Sequence, residues 1–309
     1  PTVNRLEKSA AEHMGKEAAV FVPSGTMGNL ISMLSHCNRG DEVILGDQSH
    51  IFLNEVAGIA ALGGIHPHIV LNQPDGTLDL ETVEKKIRSS DLHYPPTRLL
   101  ALENTHNYCM GSPIKPEYMQ KASALAKKHN LKIHVDGARI FNAAVALEVN
   151  VKDLVTDVDS VMFCLSKGLS APVGSVVCGN KEFINKARKL RKMVGGGMRQ
   201  SGHMAAAGLI ALNELVKTLK KDHCNAQFLA KGLARLKGII LDPKLIKTNI
   251  IFFRIKHDKI NADMFLKKME DQGIKILAIQ PGLFRAVLHR EISESQVERV
   301  IRVSEEITK

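Results

Sequence analysis

The sequence contains no tryptophan, and aromatic side chains make up only 4% of its 309 residues. Proteins that bind single-stranded nucleic acid usually stack its bases on aromatic side chains. We therefore expect no nucleic-acid partner, although the formal net charge is +10 and five of the seven residues from 186 to 192 are Lys or Arg. We read that basic stretch as the solvated face of a helix, with an anion site for a phosphate as the alternative.

Long apolar runs and paired cysteines are also absent. No run approaches the roughly 18 residues of a membrane span, and no secretory signal is visible, so we expect a cytoplasmic protein without a membrane partner. The chain begins at Pro1 rather than Met, which leaves room for a removed targeting segment. The five cysteines show no paired spacing and several lie in apolar runs. They predict reduced, buried thiols and no metal site.

The length and the pattern of the chain predict two domains. With 44% hydrophobic and 24% charged residues, the composition is that of a globular protein with a sizeable core. Strands and helices alternate up to about residue 225, and a long helix is expected over 202–220. From 226 to 309 the pattern becomes a smaller α+β unit, with strands at 250–255, 274–277 and 283–288 and helices at 261–272 and 293–307.

Lys167 stands on a tight turn after the predicted strand that starts at residue 161. Asp136 ends another predicted strand, 31 residues earlier. A βαβ unit takes roughly 30 residues or more, so the spacing predicts that both side chains lie at one edge of a parallel sheet. A lysine that forms a Schiff base and an aspartate that pairs with a pyridinium nitrogen are the main groups of a pyridoxal phosphate (PLP) site. Taken alone, Ser166-Lys167-Gly168 would be an ordinary solvated turn.

A third strand end supports the same site. Residues 98–102 read as a strand that leads to Glu103 and His106, and Glu103 precedes Asp136 by 33 residues. In open α/β sheets, ligands bind outside the carboxyl ends of the strands. Three strand ends at similar intervals therefore indicate one constellation of polar groups.

A phosphate site is predicted at the start of the first long apolar helix. Residues 17–22 read as a strand, and Ser24, Gly25 and Thr26 lie between this strand and a helix that runs to residue 34. Gly25 permits a close approach of the backbone, and the Thr26 hydroxyl lies beside free N–H groups, which suits an anion. A simple N-cap is the alternative interpretation. His50 follows a strand at 42–45 and, without further context, reads as a surface histidine.

Several longer motifs identify a family. In family order they are FVPSGTMGN at 21–29, LENTHN at 102–107, HVDGAR at 134–139, LSKGL at 165–169 and KMVGGGMRQ at 192–200, with further matches at 1–7 and 284–285. With these motifs the chain resembles the PLP-dependent threonine aldolases of fold type I. Two departures are Cys109–Ser112, where a glycine-rich stretch is expected, and Ala171 after Ser170. Neither touches a charged position.

The resemblance implies an α/β fold of the PLP-dependent transferase type. A large domain at residues 1–225 would contain a mostly parallel, seven-stranded sheet, and residues 226–309 would form a small α+β domain. The resemblance also implies a homodimer or homotetramer with shared sites. A family segment ahead of Pro1 is missing from this sequence, so we expect weaker assembly, weaker PLP binding and slower turnover than in an extended chain.

The resemblance also assigns a cofactor role to particular residues. Lys167 would hold PLP as a Schiff base, Asp136 would pair with the ring nitrogen, and His50 would stack on the ring. Ser24, Gly25, Thr26 and Ser166 would hold the phosphate. Lys192 and Arg199 would help to hold the phosphate, and in this family such residues reach the site of a neighbouring subunit. Arg139 would approach a cofactor oxygen or the substrate carboxylate.

For the reaction, the resemblance implies cleavage of L-threonine or L-allo-threonine to glycine and acetaldehyde. Arg285 would clamp the substrate carboxylate, and His106 would lie near the β-hydroxyl. The base stays open between His50, His106 and a water molecule, as do the stereochemical preference and the need for a monovalent cation. The alternatives are a β-eliminating lyase, an enzyme like serine hydroxymethyltransferase, or a non-catalytic truncated homologue.

Overall fold

The structure is a computed structural model that describes residues 1–309 in two compact units. The first unit comprises Pro1–Cys109 and Pro113–Val216, and the second comprises Met110–Ser112 and Lys217–Lys309. The boundary between the units thus lies after Val216, whereas the sequence pattern predicted it after residue 225. The reason is a helix that begins at Leu219 and contributes Leu229 and Leu233 to the core of the second unit.

The first unit contains seven strands and nine α-helices. The strands are β1 (Ala18–Val22), β2 (Glu42–Gly46), β3 (His66–Val70), β4 (Thr97–Glu103), β5 (Lys132–Asp136), β6 (Ser160–Cys164) and β7 (Ser175–Gly179). The helices are α1 (Thr2–Met14), α2 (Gly25–His36), α3 (His50–Leu53), α4 (Gly58–Ala61), α5 (Leu80–Lys86), α6 (Pro116–Lys128), α7 (Ile140–Leu147), α8 (Lys181–Met193) and α9 (Gly202–Ile210). None of the helices in the protein has the length and apolarity needed to cross a lipid bilayer.

All seven strands form one sheet in the order β1-β7-β6-β5-β4-β2-β3. Strand β7 runs antiparallel to both of its neighbours, and the other pairings in the sheet are parallel. Parallel neighbours need crossover connections, and these are usually helices. The mostly parallel, seven-stranded sheet that the resemblance implies is therefore confirmed.

The strands that end in the predicted polar residues are neighbours in this sheet. Strand β4 pairs in parallel with β5, so that Glu103 lies opposite Asp136. Strand β5 pairs in parallel with β6, where Asp136 lies opposite Met162, two residues before the end of the strand. The expectation that three spaced strand ends share one edge of a parallel sheet is confirmed.

Helix α2 lies unusually close to the sheet. A Cβ atom added to Gly28 would lie 2.6 Å from Cγ of Met162 on β6 and 3.2 Å from Val177 on β7. Such distances leave no room for a side chain, so glycine at this position permits the contact. As a result the start of α2 lies at the carboxyl end of β6.

The second unit is a small α+β fold. Its strands are β8 (Ile239–Ile240), β9 (Ile250–Ile255), β10 (Leu277–Gln280) and β11 (Leu283–Val287), and its helices are α10 (Leu219–Leu233), α11 (Ala262–Asp271) and α12 (Glu294–Thr308). The strands form an antiparallel sheet in the order β10-β11-β9-β8. Its core contains Phe253, Phe265 and Phe284, whose ring centroids lie 5.5 to 6.2 Å apart.

Two expected elements differ from those observed. The strand predicted at 274–277 is wrong, because Ile274 donates its N–H to the carbonyl of Met269 and closes helix α11. Strand β10 therefore starts only at Leu277. The helix predicted at 202–220 does not stop at 220, because a π-helical turn at Ala211–Leu215 and a 3-10 turn at Val216–Thr218 lead directly into α10.

Asp222 on α10 is a buried carboxyl group without a hydrogen-bond partner. It is 1% exposed, and neither of its carboxylate oxygens has a hydrogen-bond partner. Burial raises its pKa from 3.8 to about 6, although the charges of His289, Lys221 and Arg290 act in the opposite direction. An acid whose pKa is raised on folding makes the folded state less stable as the pH rises. Ionised Asp222 therefore lowers stability at neutral pH.

The variant Asp222→Asn removes this charge. Because a pKa rise of one unit corresponds to roughly 1.4 kcal/mol, its free energy of unfolding should exceed that of wild type by about 1–3 kcal/mol at pH 8. The penalty develops between pH 3.8 and about 6, so the difference should disappear near pH 4. Urea titrations at both pH values measure it. The exposed Asp271→Asn is the control, and an equal gain at both pH values would contradict the explanation.

Candidate active site

The first unit contains a cavity of about 290 Å³ at the carboxyl ends of β5 and β6. Seven of the residues predicted from the sequence line it, namely Ser24, Gly25, Thr26, His50, Asp136, Ser166 and Lys167. A larger surface cleft beside Ser123 and Lys132 contains none of the predicted site residues. Size alone therefore does not identify the site, whereas the convergence of titratable groups does.

The start of α2 forms one wall of the cavity. The Ser24 hydroxyl accepts a hydrogen bond from the backbone N–H of Met27 at 3.2 Å, and Gly25 is the first residue of the helix. A Cβ atom on Gly25 would lie 2.9 Å from the sulfur of Cys164, so only glycine fits without a shift. The N–H groups of the first helical turn and the positive end of the helix dipole suit an anion at this wall.

Asp136 ends β5 and is 1% exposed. Its Oδ1 accepts a hydrogen bond from the backbone N–H of Ala138 at 3.0 Å, and its Oδ2 accepts one from Nδ2 of Asn29 at 2.8 Å. Two donors of this kind hold the carboxylate in a fixed orientation. The side chain is thus a preorganised hydrogen-bond acceptor in the cavity wall.

Lys167 lies on a compact turn that follows β6. The turn is closed by a bond from Ser170 N–H to the Lys167 carbonyl and by one from Ala171 N–H to the Leu165 carbonyl, both at 2.9 Å. The side chain of Lys167 is half-buried and lines the same cavity as Asp136. An amine at the end of one strand and a carboxylate at the end of its neighbour therefore share one small space.

His50 begins helix α3 and is fixed by two carboxylates. Its backbone N–H donates to Glu103 at 2.7 Å, and its Nδ1 lies 3.0 Å from Oε1 of Glu55. The hydrogen bond to Glu55 raises the pKa of His50, while burial raises the pKa of Glu55 itself. Sequence reasoning missed Glu55. Its only signal is an acidic residue five positions after His50.

Asn29 is the second residue that sequence reasoning missed. It is fully buried, and its Nδ2 donates both to Asp136 and to Oε1 of Glu55, each at 2.8 Å. Ligand atoms of His50, Glu55 and Asp136 lie within 4.8 Å of one another, a spacing that could hold a metal ion. The Asn29 amide already bridges the two carboxylates, and these hydrogen bonds account for the arrangement.

Two predicted residues lie beside the cavity rather than in its wall. His106 is 1% exposed, accepts a hydrogen bond from Cys109 N–H at 3.3 Å, and packs against Gly76. Arg139 donates to Oδ1 of Asn107 at 3.5 Å, and burial lowers its pKa. Neither is among the residues that line the space around Lys167. Their assigned roles stay predictions.

Three further predicted residues lie outside this cavity. Lys192 near the end of α8 and Arg199 in the following loop are exposed, so their roles in a neighbouring subunit stay predictions. Arg285 lies on β11 of the second unit, is 9% exposed, and pairs in the sheet with Phe252 and Leu277. Its role in binding a carboxylate rests on the resemblance alone.

Comparison with known proteins agrees with this fold. A solved structure of the threonine aldolase from Leishmania major has a TM-score of 0.81 and 21% identity, and the alignment covers 98% of this chain and 89% of that one. A solved structure of SPT with PLP has a TM-score of 0.78 and 19% identity, and the alignment covers 99% of this chain and 76% of that one. The fold is that of the fold-type I PLP enzymes.

The chain is also similar in sequence to a known family and to characterised enzymes. The model of the beta-eliminating lyase family matches residues 1–256. The low-specificity L-threonine aldolase 1 of Arabidopsis thaliana is 49% identical over 96% of this chain and 84% of its own length. The corresponding enzyme of Escherichia coli K12 is 44% identical over 97% and 87%. The chain belongs to the beta-eliminating lyase family, and it is an enzyme of the lyase class.

The variant Glu55→Gln tests the pairing of Glu55 with His50. Because the carboxylate at 3.0 Å raises the pKa of His50, its neutral amide should lower that pKa. An NMR titration of the His50 ring in the protein without cofactor measures the change. The exposed Glu298→Gln carries the same change of charge and should leave the His50 titration unaltered. An unchanged midpoint in Glu55→Gln would show that another group raises the pKa.

Proposed function

We propose that this protein is a PLP-dependent aldehyde-lyase that cleaves L-threonine or L-allo-threonine to glycine and acetaldehyde. The observation that carries the proposal is one cavity lined by Lys167, Asp136 and the start of α2. An amine, a carboxylate and an anion-binding helix end are the three features that PLP needs for its aldehyde, its ring nitrogen and its phosphate. The names of the close relatives support the substrate.

The residues present fit this cofactor. At about 290 Å³, the cavity lies near the lower limit of ordinary cofactor and ligand pockets, about 300 Å³. Glycine at position 25 keeps the helix end free of a side chain, so backbone N–H groups are accessible to a phosphate. Lys167 would hold PLP covalently, Asp136 would keep its ring nitrogen protonated, and Ser24, Thr26 and Ser166 would contact its phosphate. When bound, PLP supplies an electron sink for the bond-breaking step.

The cleavage also requires a base that removes the proton of the substrate's β-hydroxyl group. The hydroxyl proton on Cβ must leave as the Cα–Cβ bond breaks and the aldehyde forms, so a base has to face the substrate. His50 lines the cavity, and Nδ1 of its ring is engaged by Glu55. Its Nε2 is then the nitrogen that is able to exchange a proton with a substrate. His106 also keeps an Nε2 atom without a hydrogen-bond partner, but it lies outside the cavity wall.

Exposed apolar side chains support a homodimer or homotetramer. In the segment that contains α3 and α4, Leu53 is 49%, Val56 93% and Leu62 61% exposed. Large apolar patches on soluble proteins commonly mark interfaces. The same segment supplies His50 and Glu55 to the cavity, so a second copy bound there would border the site. The five free cysteines support a reducing compartment such as the cytoplasm.

Product analysis tests the proposed reaction. With PLP and L-threonine or L-allo-threonine, wild type and the surface variant Lys189→Ala should release glycine and acetaldehyde. Lys167→Ala should turn over at least about a hundredfold more slowly, because it lacks the amine that holds the cofactor. Borohydride reduction and peptide mapping should place the pyridoxyl label on Lys167.

Other products would point to the alternatives. Ammonia and a keto acid would show β-elimination, and a requirement for folate would show chemistry like that of serine hydroxymethyltransferase. No turnover with either amino acid would support the alternative of a non-catalytic homologue. A label on a lysine other than Lys167 would refute the assignment of the cofactor site.

Replacement of Arg285 tests the proposed carboxylate clamp. Arg285→Lys should keep the absorbance of bound PLP but raise KM for threonine about tenfold or more, because an ammonium cannot form two parallel bonds to a carboxylate. Arg254→Lys on the neighbouring strand β9, where the side chain is exposed, is the matched control. A KM within about twofold of wild type, roughly 0.4 kcal/mol, would exclude the clamp.

A further inference from the structure

A chain of hydrogen bonds between buried side chains runs under α2 and ends at the active-site carboxylates. It begins at His36, whose Nε2 lies 2.7 Å from Ser160 Oγ, and the same Oγ lies 2.8 Å from His134 Nδ1. The other ring nitrogen of His134, Nε2, lies 3.2 Å from Asn29 Oδ1. Asn29 Nδ2 then donates to Asp136 and to Glu55, each at 2.8 Å. The side chains of Asn29, His134 and Ser160 are fully buried. Because these three side chains are shielded from bulk water, the donors and acceptors among them have fixed partners.

The two carboxylates determine the direction of every bond in this chain. An ionised carboxylate can only accept, so the amide of Asn29 must turn its NH2 group toward Asp136 and Glu55. A flipped amide would place Oδ1 against both carboxylate oxygens. Oδ1 therefore faces His134 and needs a proton on Nε2 of that ring.

The same logic extends to the far end of the chain. Since His134 carries its proton on Nε2, its Nδ1 must accept from the Ser160 hydroxyl. The oxygen of Ser160 then accepts from a protonated Nε2 of His36. Burial lowers the pKa of His134 well below 6.5 and that of His36 to about 4, so both rings are neutral at pH 7. The chain thus carries no charge before it reaches the carboxylates.

We propose that Asn29 is a positioning residue that holds Asp136 and Glu55 as a pair of oriented anions, and that His134 fixes the Asn29 amide in the required orientation. This inference rests on the proposed function, in which Asp136 serves the cofactor ring and Glu55 serves His50. Through one NH2 group, Asn29 couples the group that would control the ring nitrogen to the group that orients the histidine.

The variant Asn29→Asp separates this role from packing, because the two side chains have nearly the same shape. At high pH a third carboxylate would face two others, and no donor would remain between them. At lower pH the new carboxyl group takes up a proton and can again donate to one neighbour. A defect that comes from lost donors should therefore shrink as the pH falls, whereas a defect in packing should not.

The surroundings of Asn29 contain few other groups that titrate. The titratable side chains that face it or share its cavity are His50, Glu55, His134, Asp136, Cys164 and Lys167. At the level of Gly28, strands β1, β6 and β7 present the apolar side chains of Val22, Met162 and Val177. Helix α8 meets α2 farther along, where Lys186 donates to the Ser35 carbonyl. The ratio of the variant to wild type removes the pH dependence that both proteins share, so the remaining pH dependence comes from the new carboxyl group and its coupling to these neighbours.

The experiment compares dissociation constants for PLP at pH 8.5 and pH 6. For Asn29→Asp the ratio to wild type should be about 30-fold or more at pH 8.5 and should fall about tenfold by pH 6. The exposed Asn130→Asp adds the same charge and should keep a ratio near one at both values. A ratio that is independent of pH, or no defect at all, would overturn the inference.

A second measurement keeps the inference testable if the variant does not fold or if PLP does not bind. Nitrogen NMR of wild type without cofactor should show His134 as the neutral ring with its proton on Nε2, from pH 6 to pH 8.5. A proton on Nδ1, or a charged ring, would refute the orientation of Asn29. Failure of wild type to bind PLP would refute the proposed function, while the tautomer would still decide the role of Asn29.

Discussion

The close contact between α2 and the sheet is the constraint on which the site depends. Because Gly28 has no side chain, the helix approaches Met162 so closely that its first turn reaches the end of β6. The same approach buries Asn29, one residue further along, against the end of β5. A larger residue at position 28 would lift the helix and withdraw both the anion-binding turn and the amide from the cavity. The backbone N–H groups at the start of α2 and the side chain of Asn29 are thus both positioned by the contact between Gly28 and Met162.

The two carboxyl groups in the cavity, those of Asp136 and Glu55, have different surroundings. Asp136 accepts one bond from a backbone amide and one from Asn29, and it lies at a strand end where its orientation is fixed. Glu55 comes from the segment between α3 and α4, and burial raises its pKa. Neighbouring acids with distinct surroundings can serve different purposes within one site. Here one faces the position proposed for the cofactor ring, and the other braces an imidazole.

The sheet and half of the site could be read from the sequence because they depend on local pattern. Short apolar runs that end in Glu103, Asp136 and Lys167 identify strands, and parallel strands at such spacing place their ends together. Asn29 escaped prediction because its partners Glu55 and Asp136 lie far away in the sequence. Glu55 lies only five residues after His50, but nothing local distinguishes a buried carboxylate from a surface one. His106 belongs to a matching motif, and its ring packs against Gly76 and accepts a hydrogen bond from the Cys109 N–H, so its role near the substrate stays a prediction.

The division of the chain has a consequence for the order of synthesis. Met110–Ser112 belong to the second unit, and the Gly111 carbonyl accepts a hydrogen bond from Thr248 at 2.7 Å. This tripeptide leaves the ribosome together with the strands of the first unit, long before residues 217–309 exist. Until then its partner Thr248 does not exist, and this hydrogen bond cannot form. The second unit is therefore complete only when residues 217–309 join a segment that was synthesised much earlier, and a cut at a single peptide bond would leave that segment attached to the first unit.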